Sequence, residues 1–342
     1  MLPTNPDSRG NPCRALPRTA PNLSLRRRPG EIFTGRVLWD TRHAYPRLIW
    51  TVPIGGWAFG TLEPGKTPTG VGMGVRWRQT RFMRTLTVTV CQLDNRAQHR
   101  PEALRALRRH VVERGSELLV LPELPFSDWL AADPVPDAAR WQHSVEAHRA
   151  AVDRLQELGV RAVVASRPTV EVTGSRRNQA FIWTREAGAA RVRDKRYIPD
   201  EPGYWEASWY DRGDPEFPTV LVADARIGIL VCTDLWFFEW ARHYARSGVD
   251  LLCLPRATPY DSLGRWLAGG QVAATCSGAY CMSSNQWNPS GAGIDCGGLG
   301  WVVDPDGNVL ATTSAEEPFV TVEVDLDIAR QAKSTYPRYV SE

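Results

Sequence analysis

Residues 227–238 read Ile-Gly-Ile-Leu-Val-Cys-Thr-Asp-Leu-Trp-Phe-Phe, and a helical pattern from Glu239 to Arg246 follows them. The apolar run before Cys232 is typical of a buried β-strand, so the sulfur is predicted at a strand-to-helix corner. At such a corner the strand holds the sulfur, N–H groups of the turn point towards it, and the helix N-terminus favours the thiolate. These features suit a nucleophile. The alternative is a buried structural cysteine, which is the commoner state of a cysteine beside Val and Leu.

Two earlier segments carry further side chains that suit catalysis. Residues 117–123 read Glu-Leu-Leu-Val-Leu-Pro-Glu, so Glu123 directly follows an apolar strand. A carboxylate at the rim of a sheet is partly shielded from water and can act as a general base. Lys195 is one of three lysines in a chain that has 41 Lys and Arg residues. A lysine where the chain otherwise uses arginine indicates that a compact ammonium group is needed.

Taken in this order, the segments resemble those of the nitrilase or carbon–nitrogen hydrolase superfamily. The motifs are Leu-Pro-Glu at 121–123, Asp-Lys-Arg-Tyr at 194–197 and Val-Cys-Thr-Asp-Leu-Trp-Phe at 231–237. The resemblance extends over residues 84–335. It implies an α/β fold, a four-layer α-β-β-α sandwich, and a Glu-Lys-Cys triad. The alternation of strand and helix patterns along the chain agrees with a sheet covered by helices.

The resemblance also implies a role for each catalytic residue. Cys232 would attack a carbonyl carbon and form a thioester, and Glu123 would carry the protons. Lys195 and the N–H of Thr233 would stabilise the oxyanion. The predicted reaction is hydrolysis of a non-peptide C–N bond in an amide or N-carbamoyl amine, with no cofactor and no metal. The alternatives are a nitrilase that converts a nitrile to acid and ammonia, or a non-catalytic member that acts as a binding protein.

Two positions favour the amidase branch of the superfamily. True nitrilases carry Trp-Glu directly after the cysteine, whereas this chain has Thr233 and Asp234 there. Glu206 follows Lys195 by eleven residues, a spacing similar to that of carbamoylputrescine-amidase-like members. Glu206 is therefore predicted to be an acid that orients the substrate. The alternative for Glu206 is a solvated loop acid.

Residues that would contact the rest of the substrate are harder to identify. Leu235 and Trp236 occupy the positions at which N-carbamoyl-amino-acid amidases have arginines, which argues against a carbamoyl amino acid bound in that way. Arg256 follows the next strand and could clamp a substrate carboxylate or form a structural ion pair. Six aromatic residues could line the substrate pocket or belong to the core: Trp205, Trp209, Trp236, Phe237, Phe238 and Trp240.

The N-terminal part of the chain differs in composition from the remainder. Residues 1–82 contain 13 Lys and Arg against four acids, a net charge of +9, whereas residues 83–342 carry −6. This Pro-, Gly- and Arg-rich extension is interpreted as a disordered basic tail that could contact a nucleic acid or another polyanion, as a targeting peptide, or as an artefact of an upstream start codon with Met83 as the true start. The last interpretation is favoured, and the hydrolase domain is assigned to residues 83–342.

The amino-acid composition limits which binding partners and which cellular compartment are expected for the chain. No apolar stretch reaches the ~18 residues that a membrane helix needs. The seven cysteines contain no C-x-x-C pair, which argues against a disulfide framework and a zinc site and predicts a reducing cytoplasm. The expected partners are a small-molecule amide substrate and further copies of the chain, as a homodimer or higher homo-oligomer. Neither a membrane nor a nucleic acid is expected.

Overall fold

A computed structural model describes residues 84–288 and 294–341 and the backbone of four strands nearer the N-terminus. The chain divides into two compact units, Met1–Gln79 and Thr80–Glu342. In the first unit an antiparallel sheet has the order β1 (Leu23–Arg26), β2 (Ile32–Asp40), β3 (Tyr45–Thr51) and β4 (Trp57–Thr61). The other residues of the extension predicted at 1–82 lie outside the described part, and its interpretation stays a prediction.

The second unit alternates strands and helices, as the sequence predicts. The described strands are β5 (Thr85–Asp94), β6 (Leu118–Val120), β7 (Ala162–Val170), β8 (Arg176–Thr184), β9 (Gly188–Asp194), β10 (Thr219–Val222), β11 (Ala225–Ile229), β12 (Leu251–Arg256), β13 (Tyr280–Trp287), β14 (Trp301–Val303), β15 (Val309–Thr312) and β16 (Phe319–Asp325). The described α-helices are α1 (Arg100–Glu113), α2 (Ala138–Val152), α3 (Glu206–Trp209), α4 (Glu239–Arg246), α5 (Leu263–Ser277) and α6 (Leu326–Ala332). Short 3-10 helices cover Leu130–Ala132, Leu155–Leu158, Cys232–Trp236 and Tyr260–Ser262.

These strands form two six-stranded sheets that meet along one pair of strands. The first sheet has the order β16-β5-β6-β7-β8-β9, and the second has the order β10-β11-β12-β13-β14-β15. They join where the end of β13 pairs in parallel with the end of β5, from Asn285 opposite Gln92 to Trp287 opposite Asp94. Strand β5 therefore belongs to both sheets.

The two faces of each central strand bury different layers of the core. In β6, Leu118 and Val120 pack into the cluster that also contains residues of β11, β12 and β13. Leu119 and Leu121 point the other way and pack with Leu107 of α1. Side chains alternate along a strand, so a strand that is apolar at every position is covered on both faces. Helices α1 and α2 cover the first sheet, and α4 and α5 cover the second. The four-layer α-β-β-α sandwich is confirmed.

Most element boundaries agree with the sequence patterns, and several features differ. An apolar stripe of three- and four-residue steps predicts one helix over 137–158, but α2 ends at Val152 and the last apolar positions form a separate 3-10 helix that stops at Gly159 with a φ of 82°. Helix α3 is not predicted because it has only four residues. Strand β15 was not predicted because its residues are mostly exposed and carry no clear alternation. Helix α6 was missed because it is only seven residues long. Of the helices that the structure describes, none has both the length and the hydropathy needed to cross a membrane.

The direction of the strands brings three separate parts of the chain to one edge. Strands β5, β6 and β7 run parallel, as do β11, β12 and β13, and β9 runs parallel to β7 through the antiparallel β8. The carboxyl ends of parallel strands lie on the same side of a sheet. Glu123 follows β6, Lys195 follows β9 and Cys232 follows β11. The topology thus gathers the three residues that the sequence singled out.

Candidate active site

Cys232 lies at the strand-to-helix corner that the sequence predicts. It is the first residue of the 3-10 helix, and its φ of 46° lies in the left-handed region that residues other than glycine rarely adopt. Asp234 stabilises the corner because its carboxylate accepts the N–H of Val231 at 3.0 Å. The sulfur lies 3.9 Å from the carbonyl oxygen of Ala257. The backbone strain at Cys232 therefore fixes the direction of the sulfur.

The expectation that the helix N-terminus favours the thiolate is wrong. Burial, followed by the negative charge of Glu123, raises the pKa of Cys232 well above its usual value, and only 4% of the residue is exposed. The predicted helix begins only at Glu239, seven residues after Cys232, and the effect of a helix dipole falls off within its first turn. The resting sulfur is a thiol, and its attack on a carbonyl needs a base.

The two carboxylate oxygens of Glu123 differ in their hydrogen bonds: Oε1 accepts two, and Oε2 accepts none from the described residues. Its Oε1 accepts the Lys195 Nζ at 2.9 Å and the Asn178 Nδ2 at 2.7 Å. Its Oε2 is buried and has no hydrogen-bond partner in the described part of the chain. The residue is fully buried, and its N–H donates to the carbonyl of Arg256 at 3.3 Å. Glu123 is therefore fixed in place with one oxygen able to accept a proton.

Lys195 lies between two carboxylates. Its Nζ is 2.9 Å from Oε1 of Glu123 and 2.7 and 2.8 Å from the two oxygens of Glu206. Burial opposes the ammonium charge, but the charges of Glu123 and Glu206 together raise the pKa of Lys195 well above its usual value. Lys195 is therefore an ammonium ion at neutral pH.

Glu206 is a member of the buried cluster rather than a solvated loop acid. It is the first residue of α3 and is 1% exposed. Burial, opposed by the attraction of Lys195, raises the pKa of Glu206 to about 8, and the charge of Glu123 adds to the increase. The cluster has two carboxyl groups for one ammonium group, so one of the acids holds a proton more readily than usual.

Arg193 and Asp234 form a buried pair that the sequence motifs did not identify. Arg193 NH1 lies 2.5 Å from Asp234 Oδ2, and Asp234 Oδ1 accepts the N–H groups of residues 196 and 197 at 3.2 and 3.1 Å. The pair connects the segment of Lys195 to the turn of Cys232. The available signal was spacing: Arg193 lies two residues before Lys195 and so shares its face of the strand, and Asp234 lies two residues after the cysteine.

A cavity of about 920 Å³ opens above Cys232. Four of the predicted site residues line it, namely Cys232, Thr233, Trp236 and Glu206. The described lining also includes Pro199, Glu201, Pro202, Tyr204, Ala257, Thr258, Pro259, Tyr260, Asp261, Ser262, Arg265, Trp266 and Asp295. Sequence patterns missed these residues because their loops carry no motif, although the Trp236 ring contacts that of Trp266 with centroids 4.9 Å apart.

Of the six aromatic residues considered from the sequence, Trp236 alone belongs to the described lining of the cavity. Trp209 is in the core, where its indole N–H donates to the carbonyl of Asp133 at 2.8 Å. Phe237 stacks on Tyr197, and Trp240 stacks on Phe217. Trp209, Phe237 and Trp240 pack within the protein and do not belong to the described lining of the cavity.

Arg256 does not face the cavity, which corrects the expectation that it binds substrate. Its Nε donates to Ser283 at 2.8 Å and its NH1 to Thr258 at 2.6 Å, while NH2 donates to the carbonyls of residues 298 and 299. The guanidinium lies 4.0 Å from the ring centroid of Trp301, and burial lowers the pKa of Arg256 to about 9. Arg256 connects β12 to the loops beside the site and has no donor directed at a substrate.

Within residues 84–288 and 294–341, no group of three or more His, Cys, Asp or Glu side chains is arranged to hold a metal ion. The chemistry of the cluster described above is that of a thiol with an adjacent carboxylate base and an ammonium group.

Comparison with known proteins relates this site to a family. The model of the family described as "Carbon-nitrogen hydrolase" matches residues 87–334. The chain is 34% identical over 142 residues to a chloroplastic omega-amidase of Arabidopsis thaliana, which covers 41% of this chain and 38% of the relative. It is 30% identical over 148 residues to an N-carbamoylputrescine amidase of Solanum tuberosum, covering 39% of this chain and 49% of the relative. The match thus spans less than half the length of these two relatives.

Solved structures share the fold over a longer stretch. A carbon–nitrogen hydrolase from Helicobacter pylori G27 aligns with a TM-score of 0.67 and 23% identity, covering 75% of this chain and 94% of that one. An amidase from Nesterenkonia sp. aligns with a TM-score of 0.59 and 21% identity, covering 72% of this chain and 92% of that one. The second unit therefore has the same fold as these two solved structures.

Proposed function

Because the chain belongs to the carbon–nitrogen hydrolase family, we propose that it hydrolyses a non-peptide C–N bond of an amide or N-carbamoyl amine through a thioester at Cys232. The observation that carries the proposal is the buried cluster of Glu123, Lys195 and Glu206 beside a thiol at the floor of a cavity. A cluster of this kind supplies a nucleophile, a base and a positive charge in a site shielded from water.

The first half-reaction forms the thioester. The thiol proton of Cys232 moves to the free Oε2 of Glu123 as the sulfur attacks the carbonyl carbon. The oxyanion that develops is stabilised by the ammonium of Lys195, which turns from one of its contacts with Glu206, and by the N–H of Thr233. Collapse of the tetrahedral intermediate breaks the C–N bond, and the proton held by Glu123 leaves with the ammonia or amine.

The second half-reaction releases the acid. Glu123, again a carboxylate, takes a proton from a water molecule that attacks the thioester carbon. The C–S bond breaks, the thiolate regains its proton from Glu123, and the carboxylic acid leaves. For an N-carbamoyl amine, the product of this step is a carbamic acid, which decomposes to the amine and carbon dioxide.

An amide or carbamoyl substrate is favoured over a nitrile. The positions after Cys232 are occupied by Thr233 and Asp234, and Asp234 is fully committed to its contacts with Arg193 and backbone N–H groups. Two relatives that match part of the chain are named as amidases, which supports the same reaction class.

The test is release of ammonia by the full-length chain from a panel of primary amides, N-carbamoyl amines and nitriles. We expect turnover that is lost in Cys232→Ala and retained in Cys276→Ala, a matched substitution of a half-buried thiol on α5. Acid quenching during turnover should give a protein heavier by the mass of the acyl group, with the adduct on Cys232.

Each other result has a definite meaning. A nitrile that is converted to acid faster than the corresponding amide would replace the amidase assignment by a nitrilase. Absence of both turnover and adduct across the panel, with the chain folded, would contradict the proposal and favour a binding protein. Turnover that survives Cys232→Ala would remove Cys232 from the mechanism.

A further inference from the structure

Strand β13 carries consecutive buried polar side chains where the two sheets meet. Residues 283–286 read Ser-Ser-Asn-Gln, and all four are fully buried. The last of them, Gln286, lies opposite Leu93 of β5, the strand that belongs to both sheets. Burying a polar group is unfavourable unless it finds a hydrogen-bond partner. The partners of these side chains therefore show what the polar run does.

Gln286 contacts the segment that follows β6. Its Nε2 donates to the carbonyl oxygen of Glu123 at 2.7 Å and to that of Leu124 at 3.3 Å. Its Oε1 accepts a hydrogen bond from the side-chain amide of Asn95. Carbonyl oxygens only accept hydrogen bonds, so the NH₂ group of Gln286 has to face the two carbonyls. Both ends of the side-chain amide are thus fixed, and one of them holds the backbone of Glu123.

The turn that Gln286 holds has an unfavourable backbone conformation. Leu124 has a φ of 48°, in the left-handed region that residues other than glycine rarely adopt. Its N–H donates to the hydroxyl of Ser166 on β7 at 3.1 Å. Strained conformations of this kind persist only where the surrounding contacts fix them. The turn directly after Glu123 is therefore held by one side chain from each sheet, Ser166 and Gln286.

The neighbouring side chain, Asn285, holds the backbone beside the nucleophile. Its Oδ1 accepts the N–H of Thr258 at 2.9 Å, and its Nδ2 donates to the carbonyl of Gly298 at 2.6 Å. Ala257, the residue before Thr258, lines the cavity, and its carbonyl oxygen lies 3.9 Å from the sulfur of Cys232. Successive residues of a strand face opposite sides. The end of β13 thus contacts the backbone next to the base on one side and the backbone next to the thiol on the other.

We propose that Gln286 is a positioning residue for the hydrolysis: by holding the strained turn at Leu124, it keeps the carboxylate of Glu123 within reach of the thiol of Cys232. This inference rests on the proposed hydrolysis at Cys232 and adds to it a residue that touches neither the substrate nor the reacting atoms. Gln286 lies 163 residues from Glu123 in sequence, so no local motif reveals the connection.

The first variant is Gln286→Leu in the full-length chain, which removes both donors to the turn and keeps a side chain of similar size. We expect kcat for the best amide of the panel to fall by about tenfold to a hundredfold, because the base is displaced. Gln286 lies outside the described lining of the cavity, so KM should stay within about threefold of that of the unmodified chain. Rates are expressed per folded molecule, with the folded fraction taken from urea unfolding.

The matched control is Ser284→Ala, at a fully buried residue on the same face of β13. The hydroxyl of Ser284 donates to the carbonyl of Val120 at 2.6 Å and accepts the N–H of Cys91 at 2.9 Å, so it connects strands and does not contact the turn. This variant should also unfold at a lower urea concentration, because it leaves buried groups without a partner. Its kcat per folded molecule should equal that of the unmodified chain.

A second variant, Gln286→Glu, separates positioning from stability. A protonated carboxyl group keeps one donor for the turn and one acceptor for Asn95, whereas a carboxylate has no donor and repels the carbonyls of the turn. Of the described residues that contact Gln286, Glu123 and Cys296 can titrate; burial raises the pKa of Cys296, so its thiol adds no charge there. Relative to the unmodified chain, kcat of Gln286→Glu should fall as the pH rises from about 6 to about 9, since burial shifts carboxyl ionisation into this range. The same ratio for Gln286→Leu should not depend on pH.

The outcomes separate this inference from the proposed function. If Gln286→Leu loses no more kcat per folded molecule than Ser284→Ala, Gln286 only joins the sheets and the inference is wrong, while hydrolysis stands. If Gln286→Leu does not fold, Gln286→Glu decides: an activity ratio that falls with pH supports the inference, and a constant ratio overturns it. If the unmodified chain hydrolyses no compound of the panel, the proposed function itself fails.

Discussion

Cys232, Glu123 and Lys195 acquire their chemistry from burial and from one another. Burial raises the pKa of Cys232 and favours its thiol form, and the proposed mechanism uses the free Oε2 of Glu123 as the base. Lys195 stays charged because two carboxylates surround it. A thiol in water can react without an adjacent base, because up to about a tenth of it is already ionised to thiolate at neutral pH.

The same cluster predicts how stability depends on pH. Burial raises the pKa of Glu206 to about 8 in the folded chain, above its value of about 4.5 when unfolded. A raised pKa means that the stabilisation from the bound proton is fully present below pH 4.5 and is lost as the pH rises through about 8. We therefore expect urea unfolding to show a stability that falls between about pH 4.5 and 8. In Glu206→Gln the fall in the free energy of unfolding should be smaller than in the unmodified chain, by about 1–3 kcal/mol.

The control for this prediction is Glu146→Gln, which neutralises an exposed glutamate on α2 and should leave the pH dependence as it is in the unmodified chain. Equal slopes in Glu206→Gln and the unmodified chain would mean that Glu206 is ionised at neutral pH in the fold. Its measured pKa would then lie near the ordinary value.

At the scale of single residues, the motifs predict which side chains stand at the end of a strand better than they predict where a long side chain points. Glu123, Lys195 and Cys232 each come after a strand, and the parallel direction of those strands within their sheets carries all three to one edge. Arg256 also lies at the end of a strand, but its guanidinium turns into the protein to reach Ser283 and two loop carbonyls. Those partners lie 27 to 43 residues away in sequence, so local patterns do not reveal them.

At the scale of elements, a loop packs directly against the backbone of the segment that carries Lys195, and the loop residue at the contact is Gly213, which has no side chain. The N–H of Gly213 donates to the carbonyl of Lys195 at 2.9 Å. A Cβ at Gly213 would collide with the carbonyl oxygen of Asp194 and would lie 2.8 Å from that of Lys195. Backbone atoms of a strand end cannot move aside as the tip of a flexible side chain can, so only glycine allows this approach.

Gly213→Ala should therefore impair catalysis without changing any group of the site. Overpacking against backbone destabilises by about 1–3 kcal/mol, and a shift of the ammonium by a fraction of an ångström lowers kcat/KM by roughly tenfold to a hundredfold. The measurements are steady-state kinetics with the best amide of the panel and the midpoint of urea unfolding.

Gly264→Ala is the matched control because a Cβ there meets nothing within 4 Å and the residue lies in the first turn of α5. Alanine is the better helix former, so this variant should keep its activity and gain about 0.5–1 kcal/mol. Full activity in Gly213→Ala would show that the loop yields and that Lys195 is positioned by its carboxylate partners alone.

Strongly patterned elements could be predicted from the sequence, and weakly patterned ones could not. The stripe Leu107 and Val111 identifies α1, and the continuous apolar run at 118–121 identifies a strand covered on both faces. Strand β15 and the loops that form the cavity rim lack such patterns because they are exposed on one side or on both. Their positions depend on the packing of the two sheets, which local periodicity does not contain.

At the scale of the whole molecule, the net charge of the chain changes sign close to the boundary between the two compact units. Residues 1–82 carry +9 and residues 83–342 carry −6, and the compact units separate between Gln79 and Thr80. The family match begins at residue 87, two positions into β5. The homo-oligomer expected from the resemblance stays a prediction, and light scattering of the full-length chain and of a chain that starts at Met83 would test it.

The chain that starts at Met83 should be a complete hydrolase. The first strand of the second unit begins at Thr85, and Arg84, whose carbonyl accepts the N–H of Leu326 at 3.2 Å, is retained. We expect kcat/KM for the best amide to agree with that of the full-length chain within about twofold, or ~0.4 kcal/mol in activation free energy. A basic segment that binds a polyanion would appear as heparin binding by the full-length chain that weakens with salt and is absent from the shorter one. A shorter chain that folds but loses most of its activity would show instead that residues 1–82 contribute to the working enzyme, and the start at Met83 would then be wrong.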